Sequence, residues 1–173
     1  MIGLLRLFGI ANAAVWFGAS IFFTVFVAPA IFSDEMKREI LGAQNYPLYS
    51  GLIAMLVLKR YFWMHIACGI IALAHLVAEW LYMGKPLQRL TLWLLLGIFS
   101  LSVVGGVIIQ PRLSGFHRTM YSVGATPQQR EQAHHSFNLW HGASQVLNLI
   151  LMTGVAVYLW RVSTPGSGYR YRA

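Results

Sequence analysis

The sequence predicts an all-α integral membrane protein, a four-helix bundle with an additional interfacial amphipathic helix between the first and second spans. Of the 173 residues, 57% are apolar or aromatic and only 10% are charged, whereas a soluble domain carries about 25% charged residues. The charged residues lie in short stretches between long uncharged runs. Several of these runs reach the length of about 20 residues that a helix needs to cross a bilayer.

The first span is predicted over about 7–32 and ends at the charged cluster from Ser33 to Glu39. Its apolar run is too long for the core of a signal peptide, so we expect a retained helix. Asn12 and Trp16 lie one turn apart among small residues. This spacing indicates an inward packing contact.

The uncharged stretch from Ile40 to Leu58 is the ambiguous part of the chain, because it is long enough to span and would give five helices. Polar residues and Pro47 near its start argue against a span, and Lys59-Arg60 would be the entire turn to the next helix. Tyr46 and Tyr49 suit a membrane interface. We therefore expect a kinked interfacial helix over about 35–58.

The other spans are predicted over about 61–83, 90–109 and 138–160, with a turn at Lys85-Pro86. The sequence Thr126-Pro127-Gln128-Gln129 is typical of a capping box, so the last helix begins before the membrane. Residues 1–162 form a single helical domain, and the Gly/Ser/Pro-rich tail over 163–173 is expected to be disordered. Four spans put both termini on one side.

The net charge of +8 does not indicate a nucleic-acid partner, because the basic residues flank the spans instead of forming one patch. We expect the lipid bilayer as the main partner, with anionic lipids at the basic helix ends. A homo-oligomer or a partner membrane protein is the other expectation. The basic residues are nearly balanced between the two sides, so they do not predict the orientation. The expected location is a bacterial inner (plasma) membrane, crossed several times.

Two polar stripes are the main functional clue, since polar side chains inside a membrane are costly. On the second span, a spacing of three and four residues keeps one set within an arc of about 80°: His65, Cys68, Ala72, His75 and Glu79. On the last span, a second set keeps a similar arc: His134, Asn138, His141, Gln145, Asn148 and Met152. We predict that both stripes, together with Ser144, face the bundle interior and satisfy each other's hydrogen bonds.

The imidazoles and the thiol are candidate ligands for a metal or for haem, because two helical histidines can clamp a haem inside a bundle. The candidates are His65, Cys68, His75 and His141. Their spacing matches no known metal-binding string, and structural or interfacial histidines are the favoured interpretation. Glu79 could act with His75 as a proton carrier, although the aromatic residues beyond it favour an interfacial carboxylate.

Several segments resemble the transmembrane protein 205-like family. They are Gln110-Pro111-Arg112 after the third span, Tyr61-Phe62 and Cys68-Gly69 on the second, and Trp140-His141-Gly142-Ala143-Ser144 with Asn148 on the last. The resemblance implies a four-helix membrane protein of unestablished activity, found in bacteria and eukaryotes. The positions that carry over are Pro111, Arg112, His141, Gly142, Ser144 and Asn148. The stretch over 40–58 is longer than the connection in that family.

Three functions follow as hypotheses. The first is a non-enzymatic membrane protein whose polar interior is structural or binds a small ligand or a partner helix. The second is a haem- or metal-binding redox protein, although the first helix lacks the histidine that related architectures carry. The third is a subunit of an oligomeric transporter. No catalytic residue is predicted, because the five acidic residues form no paired-carboxylate arrangement and no nucleophile motif is present.

Overall fold

The structure of the protein, a computed structural model, describes residues 2–84 and 88–164. The regular elements among these residues are helices, without strands. Helix α1 consists of Ile2–Phe22, a π-helical turn at Phe23–Val27 and a last turn at Ala28–Ile31. Helix α2 is a short π-helical segment, Met36–Leu41, and α3 is Tyr46–Met83.

Helix α4 consists of Arg89–Val104, a π-helical turn at Gly105–Ile109 and a continuation over Gln110–Met120. Helix α5 is Pro127–Ser163, and the predicted capping box at Thr126 and Gln129 is formed. Among the described residues, α1, α3, α4 and α5 are long and apolar enough to cross a membrane. The predicted class, an all-α protein with four transmembrane helices, is confirmed.

Both π-helical turns in the long helices end two residues before a proline. Pro29 follows the turn in α1 and Pro111 follows the turn in α4. A proline inside a helix donates no hydrogen bond, and its ring clashes with the carbonyl four residues earlier. The wider turn gives that carbonyl more room, so both helices continue past the proline instead of ending there.

The prediction of a separate interfacial helix over 35–58 is wrong, because α3 continues without a break through Lys59 and Arg60. Pro47 lies in the first turn of α3, where its missing N–H costs nothing. Lys and Arg are good helix formers, so two charges without Gly or Pro do not end a helix. Only α2 remains as a short element of its own before α3.

Exposed charges locate the end of the lipid-facing surface on one side of the bundle. Lys59 and Arg60 are exposed on α3, and Arg112 is exposed on α4. Such charges avoid hydrocarbon. Arg60 is 23 residues from Met83, the end of α3, and Arg112 is 23 residues from Arg89, the start of α4. At about 1.5 Å per residue these lengths are about 35 Å, enough to cross a bilayer core of about 30 Å. The first turns of α3, the last turns of α4 and the first turns of α5 therefore extend beyond the hydrocarbon.

The four long helices form a closed arrangement in which α1 and α4 each pack against both α3 and α5. Helix α3 is thus diagonal to α5. Glycines allow close approach at several crossings, for example where Phe62 of α3 occupies the space that a Cβ on Gly105 of α4 would need. Ser102 is fully buried and Gly106 also faces Phe62, as expected for a packing contact.

The beginning of α1 and the end of α5 lie together. Arg6 donates a hydrogen bond to the carbonyl oxygen of Ser163 at 3.1 Å. This contact places the beginning of α1 and the end of α5 at the same end of the bundle, as an even number of spans requires. The predicted turn at Lys85-Pro86 and the tail beyond Thr164 lie outside the described residues.

Candidate functional site

The centre of the bundle contains a buried histidine whose two ring nitrogens are both hydrogen-bonded. Trp16 of α1 donates from Nε1 to Nδ1 of His65 of α3 at 2.9 Å. Ser20 Oγ lies 3.2 Å from the other nitrogen, Nε2. All three side chains are fully buried. The inward packing contact predicted for Trp16 is therefore a specific polar contact between α1 and α3.

The chemistry of these partners fixes the protonation of His65. An indole N–H is a donor only, so Nδ1 must be the acceptor and must carry no proton. The proton of neutral His65 then lies on Nε2 and is donated to Ser20 Oγ. The Ser20 hydroxyl in turn donates to the carbonyl oxygen of Trp16 at 2.7 Å. His65 is thus held as one neutral tautomer, with no lone pair left for a metal.

A second group of hydrogen bonds connects the diagonal helices. Tyr61 Oη of α3 donates to Asn148 Oδ1 of α5 at 2.6 Å, and Asn148 Nδ2 donates to Thr24 Oγ1 of α1 at 2.9 Å. Thr24 donates to the carbonyl oxygen of Ser20 at 2.8 Å. The six side chains Trp16, Ser20, Thr24, Tyr61, His65 and Asn148 together form what we call the central network. It joins three of the four spans.

Aromatic rings enclose the central network. The Phe23 ring stacks on Tyr61 with centroids 4.2 Å apart, and Tyr61 meets His65 edge-on at 4.4 Å. On the other side, the Trp16 and Tyr158 rings are 6.4 Å apart. Polar groups shielded in this way depend on each other, because an unpaired polar group in an apolar interior costs several kcal/mol (about 2–7).

The rest of the α3 stripe also faces inward, but each residue has its own local partner. Cys68 is buried, and its backbone carbonyl accepts a hydrogen bond from Asn12 Nδ2 at 3.0 Å. Nε2 of His75 lies 2.9 Å from the carbonyl oxygen of Leu5. Because a carbonyl oxygen can only accept, Nε2 is the donor. Glu79 is half-buried. The ligand roles considered for these residues stay predictions.

The predicted inward orientation of the α5 stripe is wrong for four of its residues. His134, Asn138, His141 and Gln145 are exposed on the outside of the bundle, a group that we call the α5 outer stripe. Asn148 is half-buried and belongs to the central network, and Ser144 is buried. Helix α5 instead turns an adjacent face inward, with Leu147, Leu151 and Val155. A shared arc shows that residues lie together on a helix but not which way they point.

The exposed side chains of the α5 outer stripe bond within their own helix. Gln145 Nε2 lies 3.2 Å from His141 Nε2, and Asn138 Nδ2 lies 3.4 Å from His134 Nδ1. The Phe137 ring stacks on His141, with centroids 5.8 Å apart and an interplanar angle of 7°. His141 and His65 are thus not brought together, and the mutual contact predicted between the two stripes is replaced by the Tyr61–Asn148 hydrogen bond.

The membrane-external end of the bundle contains a second polar cluster that sequence reasoning missed. His117 of α4 is buried against Gly51 of α3, with Nε2 3.4 Å from the carbonyl oxygen of Pro47. Gln110 donates to the carbonyl oxygen of Met55 at 3.2 Å. The spacing of seven residues between Gln110 and His117 on α4, with buried Leu113 between them, was the available signal for this inner face.

The candidate ligand side chains of the described residues do not come together at one place. Within residues 2–84 and 88–164, no group of three or more His, Cys, Asp or Glu side chains converges. A haem clamped by two histidines needs them to face each other across the bundle. His65 points inward with both nitrogens engaged, whereas His141 points outward.

The fold and the central network define a multi-pass α-helical membrane protein whose central polar side chains are hydrogen-bonded to one another. Residues 12–122 match the family described as Domain of unknown function (DUF4149). The match covers more than half of the chain, which belongs to that family. No curated protein and no solved structure matches the chain.

Proposed function

We propose that the protein is a non-enzymatic membrane scaffold whose rigid bundle associates with a second copy of itself through the α5 outer stripe. The observation that carries this proposal is the exposure of His141 and Gln145 on a helix that is apolar enough to cross a membrane. Gln145 is one turn deeper than His141, so it faces lipid in the isolated chain. Lipid offers no partner to its amide.

The contrast with the interior supports an external partner for this surface. The polar groups of the central network are bonded to each other. Within the described residues, the amide nitrogen of Gln145 hydrogen-bonds to His141. Its carbonyl oxygen makes no hydrogen bond among these residues. A hydrogen bond across a helix interface in a membrane contributes about 0.6 kcal/mol on average and up to about 1.7.

A second copy is the partner that fits this chemistry best. Copies inserted the same way into one membrane are related by a two-fold axis along the membrane normal, so each residue meets its counterpart at the same depth. A glutamine amide has both a donor and an acceptor and therefore pairs with itself. Two Gln145 side chains facing across such an axis would complete each other's hydrogen bonds.

The hypotheses of redox and transport functions have less support. A metal or haem role would require His65 to give up a Trp16 or Ser20 partner, and His141 would have to turn inward. A transport path through one copy would have to displace large buried side chains such as Trp16, Phe62 and Leu151. Transport would therefore need an interface between copies, which the same association experiment tests.

Association is tested by pairing cysteine cross-linking with energy transfer in membranes. His141→Cys should form disulfide-linked dimers under mild oxidation, whereas Trp63→Cys, on the exposed side of α3, should not. Gln145→Leu should lower energy transfer between differently labelled copies, and Val146→Leu, its exposed neighbour, should leave it unchanged. Monomeric protein, equal effects of both leucine variants, or a cross-link only to a different protein would contradict self-association.

Two finer assignments also belong to this proposal. We infer that the family is related to the transmembrane protein 205-like proteins, supported by Pro111-Arg112 inside the matched range and by His141-Gly142 with Ser144 beyond it. An alignment of family members in which the last helix lacks this motif would contradict the relation. We further infer a bacterial plasma membrane, since bacterial outer-membrane spans are β-barrels. Fractionation of inner and outer membranes tests it.

A further inference from the structure

We propose that Arg112 and Trp140 form a binding site for the phosphate of an anionic phospholipid headgroup. The guanidinium carbon of Arg112, on α4, lies over the Trp140 ring of α5 at 4.6 Å from the ring centroid. This cation–π contact holds the charged end of an exposed side chain against a half-buried ring. The site is thus formed between two helices and not by a lone surface charge.

The hydrogen-bond donors of Arg112 remain available for a ligand. A cation–π contact uses the charge of the guanidinium and the face of the ring but no N–H group. Within residues 2–84 and 88–164, Arg112 makes no hydrogen bond and no ion pair. Three other arginines, Arg6, Arg130 and Arg161, instead donate to oxygen atoms of the protein. A guanidinium with its donors free suits two parallel hydrogen bonds to a phosphate.

The position of the pair selects a phosphate at the membrane surface. Arg112 is the first charged residue of α4 after the uncharged run Leu90 to Pro111. Tryptophan favours the same level, where the ring touches hydrocarbon and headgroups. Lipid phosphates lie at that level, so an anionic phospholipid reaches Arg112 while its chains stay in the bilayer. Free phosphate shares this chemistry but has no acyl chains to hold it there.

The α4 backbone helps to present Arg112. Pro111 precedes it, and the π-helical turn Gly105–Ile109 lets the helix continue through that proline. The next residue, Leu113, is fully buried. Arg112 is therefore the exposed member of an otherwise anchored segment of α4. Trp140, its partner on α5, directly precedes His141 of the α5 outer stripe.

The test uses the full chain in detergent, titrated with phosphatidylglycerol, phosphatidylcholine or inorganic phosphate, with bound lipid counted by native mass spectrometry. We expect a preference of about fivefold for phosphatidylglycerol over phosphatidylcholine, the value for one basic group at an anionic surface. Arg112→Gln should remove most of the preference and Arg112→Lys only part. The matched control is Arg60→Gln, an exposed arginine of α3 near the same end of the bundle, which should keep it.

The comparison of the two lipids with inorganic phosphate distinguishes the possible sources of the phosphate, and a second variant covers the case in which Arg112→Gln does not fold. Competition by millimolar inorganic phosphate, without lipid preference, would overturn a lipid site and assign free phosphate. Equal binding of the two lipids, or equal loss in Arg60→Gln and Arg112→Gln, would overturn a specific site. If Arg112→Gln does not fold, Trp140→Leu provides the second variant. It should weaken the phosphatidylglycerol preference while all basic residues remain.

Discussion

Trp16 and His65 are joined by a hydrogen bond of 2.9 Å between indole Nε1 and imidazole Nδ1, and both side chains are fully buried. Because the indole can only donate, this bond determines the tautomer of His65. It also explains why a histidine lies in the middle of an apolar bundle. The imidazole connects two side chains of α1 to α3 as a neutral group.

We predict that Trp16→Phe lowers the free energy of unfolding by about 1–3 kcal/mol, because it leaves Nδ1 of His65 buried without a partner. In a double-mutant cycle with His65→Leu, the coupling energy should be about 0.6–1.7 kcal/mol. Unfolding in mixed micelles measures both. Trp63→Phe, the same change at an exposed position on α3, is the control. Equal effects of the two Trp→Phe variants would contradict a structural role for the bond.

We predict that Asn148→Leu destabilises the chain and that Gln145→Leu does not. Asn148 accepts from Tyr61 and donates to Thr24, so its loss removes both hydrogen bonds, at a cost of about 1–3 kcal/mol. Gln145 is exposed and bonds only within its own helix among the described residues. Thermal unfolding of monomeric protein in detergent compares the variants. A larger loss for Gln145→Leu would mean that the outer stripe belongs to the core.

Asn148 and Gln145 illustrate which features of the site the sequence could predict and which it could not. Spacing identified the inward stripe of α3 and the common arc on α5, but apolar residues surround α5 on all sides. Polarity was therefore the only contrast, and it pointed to the wrong face. Burial on α5 is set by how Leu147 and Leu151 fit the neighbouring helices, which a single sequence does not reveal.

The central network was predictable in part. His65 and Asn148 belonged to the predicted interior, whereas Ser20 and Thr24 were missed. Their signal was present, because Asn12, Trp16, Ser20 and Thr24 recur at every fourth residue of α1. The pairing itself depends on the diagonal arrangement of α3 and α5, which follows from tertiary packing and not from the pattern of any one helix.

We predict that Gly105→Ala destabilises the bundle by about 1–3 kcal/mol, as overpacking of a core does. The added methyl group would occupy the space of the Phe62 ring, which is only 1% exposed. Phe62→Leu should restore part of the lost stability in the double variant. Gly97→Ala on the same helix meets no atom within 4 Å and should be neutral or slightly stabilising. Unfolding midpoints in detergent measure this, and equal effects of both alanines would refute the close contact.

The last prediction concerns the membrane boundary on α3, where the structure replaces an expected surface helix by one continuous helix. Tyr49 and Ile71 are similarly exposed, at 46% and 48%, but they lie on opposite sides of the charged pair Lys59-Arg60. If the hydrocarbon begins after Arg60, Tyr49→Cys faces water and Ile71→Cys faces lipid. A thiolate is the reactive form of cysteine and needs water, so a membrane-impermeant maleimide should label the first variant in vesicles and the second only after solubilisation. The single native cysteine, Cys68, is buried, which keeps the background low. If maleimide applied from either side of the membrane labels Tyr49→Cys only after detergent is added, the first turns of α3 lie in lipid. The boundary would then move from Arg60 toward Tyr46.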